Sequence, residues 1–353
     1  MKRILVNNFC FIALCIIAVT GCEKKFGEGV SLKDIEVEPT VKVAIDNTIT
    51  RAKAYPVPWD CTDYKFTYTS SNPAVVEVDE WGRLTPHDFG TCTITVSSGS
   101  ISKTISVEVY DPPMKDRLEA LGVKYYYDFE DAGNLFKAII GNKDLVPVLA
   151  DGYSFEQVEG FNSTKKALRK PDGIQNSDGY CINHLFLDHG FAANGGGVYV
   201  NQFTIMMDVK LPANPSPGYN LGGDFAIFHT PVNDITKLPY GEDPGCIFQN
   251  GGGFGINGAT TAGGVLEREE WYRIVICADL GISIKNWKDG NLLTASSVGS
   301  IDWKHRAWEL NGVVIFGDSG RRRNVKGFDV ANLAIWDRCL SDREVATLGI
   351  LRK

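Results

Sequence analysis

The chain has 353 residues, of which 44% are hydrophobic, 11% are aromatic and 22% are charged, and its formal net charge is −7. This length predicts about two domains, and the composition is that of a globular protein, which excludes collagen-like, coiled-coil and wholly disordered chains. The acidic charge argues against a nucleic-acid partner, whereas the 37 glycines and 15 prolines indicate a turn-rich β protein.

Residues 1–21 have the pattern of a secretory signal. Lys2 and Arg3 precede an unbroken apolar stretch of 11 residues, Phe9–Val19. That stretch is too short to span a bilayer and is typical of the hydrophobic region of a signal peptide. It leads into Val19-Thr20-Gly21-Cys22, which resembles the lipobox of bacterial lipoproteins. The resemblance implies cleavage before Cys22 and lipidation of that cysteine; the alternative is a plain secretory signal with an incidental cysteine.

The lipobox reading predicts a protein anchored in the bacterial cell envelope through its N-terminal lipid. We expect the outer membrane and exposure at the cell surface. Cleavage removes Lys2 and Arg3 but no acidic residue, so the formal net charge moves from −7 to −9. Residues 22–31 are charged and contain glycine, which predicts a flexible lipidated tether.

Six cysteines remain downstream of the anchor. An extracytoplasmic setting permits disulfides among them, and their wide spacing without a CxxC pair argues against a zinc site. They are Cys61, Cys92, Cys181, Cys246, Cys277 and Cys339.

Residues 32–110 predict a first β-sandwich. Short apolar and polar runs alternate there and are separated by turn residues, as expected for several short strands. The predicted strands are Val41–Ile45, Tyr64–Tyr68, Val75–Val78, Thr91–Val96 and Ile101–Val109.

Three segments of this unit carry a family resemblance. Ser71–Asp79, Gly82–Thr85 and Gly90–Val96 together resemble the bacterial Ig-like domain of group 2. The resemblance implies a spacer or adhesion module rather than a catalyst. Cys61 and Cys92 fall within the unit and are a candidate disulfide, although sequence alone does not fix connectivity.

The boundary of the first unit is Asp111-Pro112-Pro113, where two prolines stop strand pairing. Residues 114–353 then predict one large β-sandwich. In Phe203–Leu211, apolar residues alternate with Thr204, Met206, Asp208 and Lys210, which predicts a half-buried strand. Further predicted strands are Phe225–Phe228, Tyr272–Cys277, Val313–Phe316 and Ala331–Trp336.

A short helix is predicted near the end of the sequence. Ser341-Asp342-Arg343-Glu344 has the spacing of a capping box, in which the serine hydroxyl and the glutamate carboxylate satisfy the first helical N–H groups. Val345 and Leu348 supply the buried side, and Gly349 is placed to end the helix.

The second unit resembles the laminin-G-like members of the concanavalin A-like lectin/glucanase superfamily. The segments that carry the resemblance are Tyr127–Glu130, Phe203–Val209, Trp271–Val275, Lys288–Gly290, Phe328–Asp337 and Leu340–Val345. The expected fold class is therefore all-β, with an Ig-like sandwich followed by a jelly-roll sandwich and a short C-terminal helix. Members of this superfamily bind glycans or proteins at a rim of loops, and some related families cleave glycans.

The catalytic motif of the glucanase branch is missing at the positions where its spacing begins. That motif is E-x-D-x-x-E on one strand face, in keeping with the paired carboxylates of glycosidases. Glu77 and Asp79 begin the spacing, but Gly82 takes the place of the third acid. Glu267 and Glu269 are also two residues apart, but Tyr272 follows. We expect no catalytic residues of this kind.

Loop-like segments of the second unit hold residue types that bind sugars. Aromatic rings stack on sugar faces, while amides, carboxylates and arginines pair with hydroxyl groups. The candidate carbohydrate-binding residues are Tyr219, Tyr240, Asp243, Trp303, Trp308, Asp318, Arg321 and Asn324. Calcium occurs in some members of the superfamily, and Asp243 and Asp318 are the candidate ligands, but no cofactor is required by the sequence.

These patterns predict a non-catalytic, lectin-like surface lipoprotein in which the Ig-like unit is a spacer. The expected partner is a carbohydrate, the lipid provides membrane attachment, and nucleic acid is not expected. Two alternatives stay open at this point. One is an adhesion or scaffold module that binds a protein partner, and the other is a divergent glycoside hydrolase.

Overall fold

The structure is a computed structural model. It describes residues 29–45, 50–175, 181–213, 225–229, 246–248, 254–255, 266–296, 300–303, 306–317 and 327–351. The chain divides between Tyr110 and Asp111 into two compact units, which we call unit 1 and unit 2. Neither helix in the described residues has the length and hydrophobicity needed to span a bilayer.

Unit 1 is built from short strands around one apolar core. Its described strands are β1 (Asp34–Val37), β2 (Thr40–Ala44), β3 (Ala54–Val57), β4 (Thr67–Ser70), β5 (Val76–Val78), β6 (Leu84–Pro86), β7 (Gly90–Ser98) and β8 (Ile101–Tyr110). The main sheet has the order β2-β8-β7-β4, in which β2 and β8 are parallel, and the pairs β1-β3 and β5-β6 complete the unit. Alternate residues such as Val43, Ile94 and Val107 fill the core, as the period-2 pattern predicts.

Unit 2 adds many further strands and two helices to the described fold. They are α1 (Met114–Ala120), β9 (Tyr125–Tyr127), β10 (Val146–Val148), β11 (Glu156–Glu159), β12 (Lys166–Arg169), β13 (Ile174–Gln175), β14 (Cys181–Ile182), β15 (His184–Leu187), β16 (Gln202–Lys210), β17 (Phe225–His229), β18 (Cys246–Phe248), β19 (Phe254–Gly255), β20 (Trp271–Asp279), β21 (Ser283–Lys288), β22 (Asn291–Ser296), β23 (Val313–Ile315), β24 (Asp329–Trp336) and α2 (Asp342–Thr347).

Two antiparallel sheets of unit 2 enclose its main core. The smaller sheet has the order β10-β15-β23-β17-β18-β19, and the larger has the order β11-β12-β24-β16-β20-β21-β22, with β9 also paired to β24. Phe203, Ile205 and Met207 of β16 meet Leu185 and Ile315 of the smaller sheet in this core. The all-β class, the sandwich sheets and the C-terminal helix are thus confirmed.

The prediction that Phe203–Leu211 is half-buried is wrong, because both faces of β16 are covered. On the outer face, Met206 packs in a second apolar cluster with Leu118 of α1, Val345 of α2 and Leu348, which caps the C-terminal end of α2. Helix α1 follows directly on Pro113 and was not predicted. The two helices therefore turn the outer face of the larger sheet into a second core.

The predicted capping box at α2 is confirmed. The Ser341 hydroxyl accepts from the backbone N–H of Glu344 at 3.4 Å, and the Glu344 carboxylate accepts from the backbone N–H of Ser341 at 2.8 Å. Val345 and Leu348 are buried as expected, and Gly349 has a φ of 70° directly after the helix, the conformation that glycine adopts without strain.

Strand β24 leaves a gap along one edge. Its residues Leu333–Ile335 pair with β9, whereas Asp329 and Val330 pair with β12. Ala331 and Asn332 lie between the two partners and are paired with neither. This gap is the floor of the site described next.

Candidate ligand cavity in the second unit

The predicted lipidation site and most of the predicted carbohydrate-binding residues lie outside the described part of the chain. These are Cys22 at the lipobox and Tyr219, Tyr240, Asp243, Asp318, Arg321 and Asn324 in the predicted loops. The two candidate calcium ligands, Asp243 and Asp318, are among them. No group of three or more metal-ligating side chains is found among the described residues.

Trp308 is not a sugar-binding residue, and that prediction is corrected. Its side chain is fully buried, and its ring lies 4.4 Å from the Phe203 ring, centroid to centroid, in a stacked arrangement. Phe191, Phe228 and His189 surround it from other sides. The indole therefore fills the main core, where a glycan cannot reach it.

Trp303 is half-buried and packs against the same core. The guanidinium carbon of Arg306 lies 5.0 Å from the centroid of its ring, a cation–π distance. Trp303 lines neither of the cavities described next.

The predicted Cys61–Cys92 pairing is also corrected, because both residues are free thiols with different partners. The Cys61 thiol donates to the Asp63 carboxylate at 3.3 Å. The Cys92 sulfur accepts from the Ser70 hydroxyl at 3.9 Å, on strand β7, where Cys92 faces the core of unit 1. Each thiol is thus held by its own neighbours.

A cavity of about 380 Å³ lies over the gap in β24. We call it the strand-gap cavity. It is lined by Asp111–Lys115, Arg117, Tyr126, Asp128, Ile139, Phe161, Asn162, Lys165, Arg273, Asn332, Ile350 and Leu351. Its size falls within the range of roughly 300–1,000 Å³ that is typical of small-molecule sites.

A buried network of charged and polar groups forms the floor of the strand-gap cavity. Arg273 donates from Nε and Nη2 to the two carboxylate oxygens of Asp208, at 2.7 and 2.8 Å, and from Nη1 to the Leu348 carbonyl at 2.6 Å. Asn332 donates to Asp208 at 2.6 Å and accepts from the Tyr126 hydroxyl at 2.6 Å. Burial raises the pKa of Tyr126, which keeps this phenol a donor. The floor is therefore fixed in one arrangement.

Asp128 is the carboxyl on the wall of this cavity. It follows β9 and precedes Phe129, a buried residue with a left-handed φ of 57°. Gln157 holds this turn by donating to the carbonyls of Phe129 and Glu130 at 3.0 Å each. Burial raises the pKa of Asp128 above its ordinary value, although Lys165 opposes the shift. Asp128 is half-buried, and its Oδ1 accepts from the backbone N–H of Glu130 at 3.2 Å, so its Oδ2 is the oxygen that we expect a ligand to meet.

The cations that line the strand-gap cavity are paired with acids of the chain. Arg117 lies 2.6 Å from Asp111, and Lys165 lies 2.7 Å from Glu130. Arg273 is neutralised by Asp208, as described above, and Lys115 lies 3.6 Å from Glu119. Among the described ion pairs, Asp128 has no partner within 4.0 Å. The lining therefore does not offer an excess positive charge to an anionic ligand.

Apolar groups and an amide complete the wall. Phe161 is half-buried, and its ring meets the Trp271 ring edge-on with centroids 6.3 Å apart. The Asn162 side-chain oxygen caps the turn that follows by accepting from the backbone N–H groups of Thr164 and Lys165. One side of the cavity thus combines an aromatic ring, an amide and a carboxylate, the residue types that recognise sugars.

A second cavity, of about 500 Å³, lies at the ends of β12 and β16 and the start of β24. Its central group is Asp329, which accepts from Arg169 Nε at 2.8 Å and Nη2 at 3.0 Å and lies 3.3 Å from Lys210 Nζ. These charges satisfy one another. Ala213 and Gly327 line this cavity where the segments that contain Tyr219 and Asn324 leave and rejoin the described chain. Its described lining includes no exposed aromatic ring, so we prefer the strand-gap cavity.

None of the predicted sugar-binding residues lines the strand-gap cavity. Asp128 was part of the Tyr127–Glu130 motif, which was used for the family resemblance and not for the site. The alternation of residues 203–211 puts Asp208 on the polar face of its strand. That position indicates a buried ion pair only if the polar face is itself covered by other elements, and the sequence does not show this. Phe161, Asn162 and Arg117 carried no signal, because each belongs to an ordinary turn or to the unpredicted helix.

Comparison with protein families finds a match within unit 1. Residues 64–111 match the model described as Big-like, bacterial Ig-like domain. Unit 1 therefore contains a bacterial Ig-like domain, as the motifs of residues 71–96 indicated. A search of the curated proteins finds no relative that matches this chain.

Solved structures with a similar course of the chain include a sialidase and two toxin binding domains. The Trypanosoma rangeli sialidase in complex with sialic acid is 13% identical, with a TM-score of 0.43, over 84% of this chain and 46% of the sialidase. The binding domain of Paraclostridial Mosquitocidal Protein 1 is 14% identical, with a TM-score of 0.41, over 67% of this chain and 52% of that protein. The Botulinum neurotoxin serotype D binding domain is 10% identical, with a TM-score of 0.39, over 64% of this chain and 49% of that domain. This chain thus spans about half the length of these structures.

Proposed function

We propose that the chain is a cell-envelope lipoprotein whose second unit binds carbohydrate without cleaving it. Lipidated Cys22 anchors the mature protein, the Ig-like unit is a spacer, and the strand-gap cavity holds the sugar. The laminin-G-like resemblance of unit 2 supports this proposal. The observation that carries it is the combination of Phe161, Asn162 and Asp128 in one cavity above a rigid polar floor.

The charge balance of the cavity favours a neutral sugar. Each lining cation has an acid of the chain beside it, so a ligand carboxylate would compete with an existing ion pair. Asp128 instead offers acceptor oxygens to the hydroxyl groups of a neutral sugar, and charge-assisted bonds of this kind are stronger than neutral ones. The half-buried Phe161 ring provides an apolar surface for the C–H face of the sugar.

A glycan array tests the proposal with the chain Glu23–Lys353. We expect binding to a neutral glycan and a loss of at least tenfold in affinity for Asp128→Asn, which keeps the size of the side chain and removes its charge. Asp151→Asn is the matched control, because Asp151 is exposed and lines neither cavity. If Asp128→Asn and Asp151→Asn bind the glycan with equal affinity, the glycan site is not the strand-gap cavity.

The two alternatives give different outcomes in the same experiment. A hydrolase would release reducing ends from the bound glycan over time, whereas a binding protein leaves it intact. A protein-binding module would give a blank array and a partner in a pull-down from cells or host material. A blank array on a broad neutral panel would therefore overturn the carbohydrate proposal.

The lipid anchor is tested separately by metabolic labelling with an alkyne fatty acid. We expect label on the full-length protein and none on Cys22→Ser. Protease treatment of intact cells then tests surface exposure. Equal labelling of both proteins would contradict the anchor while leaving the carbohydrate proposal untouched.

A further inference from the structure

Cys277 and Cys339 are two thiols in the same apolar cluster on the outer face of the larger sheet of unit 2. Cys277 lies on β20, directly opposite Thr204 of β16. The Thr204 hydroxyl donates to the Arg338 carbonyl at 2.8 Å and accepts from the Leu340 N–H at 3.0 Å. This hydroxyl therefore fixes the backbone on both sides of Cys339, whose side chain packs against the same apolar cluster that contains Cys277. The Cys339 thiol donates to the Leu340 carbonyl at 3.7 Å.

The two thiols differ in access and in acidity. Cys277 is fully buried, and Cys339 is partly exposed at the edge of the apolar cluster that includes α2. The neighbouring Cys277 thiol holds the pKa of Cys339 below its ordinary value, although burial and Asp279 oppose this shift. The neighbouring Cys339 thiol and burial raise the pKa of Cys277. Cys339 is thus the thiol that ionises first and meets a reagent first, as an attacking cysteine must.

We propose that Cys277 and Cys339 form a disulfide when the protein meets a small-molecule or protein disulfide. The Cys339 thiolate attacks one sulfur of the oxidant, which forms a mixed disulfide and releases one reduced thiol. Cys277 then loses its proton and attacks the Cys339 sulfur, which closes the internal disulfide and releases the second thiol. The two cysteines are oxidised, the oxidant is reduced, and two thiols leave for each bond formed.

The surroundings of this pair differ from those of Cys61 and Cys92. Cys61 and Cys92 contact Asp63 and Ser70, respectively, and not another thiol. The internal disulfide would join β20 to the residue two positions before the Ser341 cap of α2. The envelope location proposed above supplies disulfide oxidants, but the position of both thiols in one cluster does not depend on that location or on a ligand.

Peptide mapping tests this disulfide in the chain Glu23–Lys353. The folded protein is incubated with oxidised glutathione, alkylated and digested with trypsin. We expect Ile274–Lys285 linked to Cys339–Arg343, and a reductant should restore two alkylated peptides. We also expect a higher Tm for the oxidised protein, since the bond restricts the unfolded chain. Separate alkylation of both cysteines in the oxidised, folded sample would overturn the proposal.

Single variants test the order of the two steps. In Cys277→Ala the second step is blocked, so we expect a glutathione mixed disulfide to accumulate on Cys339. In Cys339→Ala we expect no modification of Cys277, because that thiol is buried. Cys92→Ala is the matched control and should leave the linked peptide unchanged. A Cys339 that pairs mainly with a different cysteine would also overturn the proposal.

Discussion

Asp208 is a fully buried carboxylate that three donors from two side chains contact. Arg273 donates to both of its oxygens, and Asn332 donates to one of them. The Arg273 side chain is itself only 4% exposed, so neither charge is compensated by water. Such a pair is costly to break, because the remaining charge stays buried without a partner.

Asp208→Asn is predicted to destabilise unit 2 by about 3–5 kcal/mol, the usual cost of removing one partner from a buried ion pair. The substitution keeps the size of the side chain and leaves the Arg273 guanidinium without its counter-charge. Urea denaturation followed by tryptophan fluorescence measures the effect. The exposed Asp151→Asn serves as the control, and similar midpoints for both variants would contradict this role.

Ligand affinity is predicted to depend on pH through Asp128. Burial raises the pKa of this carboxyl, so affinity should weaken as the pH falls through that raised pKa and the acceptor becomes protonated. Because the pKa of Asp128 is raised in the folded state, the free energy of unfolding falls as the pH rises through that pKa and the buried carboxyl becomes charged. Asp128→Asn should therefore remove the pH dependence of binding without lowering Tm at neutral pH. A glycan titration between pH 4 and 8 measures this, and an unchanged pH profile in the variant would exclude Asp128.

The residues of the site were predicted less well than the residues of the core. Alternation along residues 203–211 correctly identified which side chains of β16 face the main core. The same alternation cannot show that Asp208 is buried, because that depends on distant helices. Trp308 was assigned to a ligand because tryptophan in a loop-like segment has the same local pattern whether it is exposed or stacked on Phe203.

At the scale of elements, α2 is fixed by its first turn. Glu344 accepts from the backbone of Ser341 and lies 2.7 Å from an Arg338 guanidinium nitrogen. The hydrogen bond from Arg338 lowers the pKa of Glu344 to about 2. A lowered pKa of a carboxyl means that its ionised form stabilises the fold.

Glu344→Gln is predicted to remove a pH-dependent contribution of at most about 1 kcal/mol, since both partners are partly exposed to solvent. Glutamine keeps one acceptor oxygen, which can still complete the capping box, so the substitution removes the charge and the hydrogen bond that Arg338 donates to Oε1. The native contribution should be full above the ordinary glutamate pKa and disappear as the pH falls toward about 2. Tm measured from pH 2 to 7 should converge for the two proteins at the acidic end, and a constant difference would contradict the ion pair.

The elements that sequence predicts well here are the long or locally encoded ones. Strands β7, β8 and β16 carry strong alternation, β24 is a nearly continuous apolar run, and α2 carries a capping box. Helix α1 could not be predicted, because it has seven residues, one of which is buried, and because it follows Pro112-Pro113, where the sequence indicates only a domain boundary. A helix that short depends on the sheet it packs against rather than on its own propensity.

At the scale of the whole molecule, the two units have separate cores. The buried residues of the unit 1 core all precede Tyr110, and the clusters of unit 2 all follow it.

Gly82 belongs to unit 1 and has a φ of 74°. A Cβ added there would lie 2.8 Å from the Ala52 carbonyl oxygen and 3.0 Å from the Tyr68 ring. Both the backbone and the space around it therefore require glycine.

Gly82→Ala is predicted to destabilise unit 1 by about 1–3 kcal/mol, as expected for a residue in a strained conformation. Because the cores are separate, unit 2 should keep its unfolding midpoint and its ligand affinity. Calorimetry of the full chain, combined with the glycan titration, measures both. Matched losses in the two units would show that their stabilities are coupled.

The strand-gap cavity could not be predicted, because no short stretch of sequence contains it. Its walls come from α1, from the end of β9, from the turn before β12, and from the segment after α2. Each contributes only a few residues of ordinary type. The sites that the sequence did suggest were single loops, where neighbours in sequence are also neighbours in space.

The cavity wall contains the first residues of unit 2, from Asp111 to Arg117. Under the proposal that Cys22 is lipidated and that this cavity binds a glycan, a pulling force on the glycan would pass along the backbone through these residues before it reached the sheets of unit 2. Tension would act first on the contact between Asp111 and Arg117, which are 2.6 Å apart. The lifetime of the complex under flow would then be set by mechanical load on this wall, and not only by the affinity measured at rest.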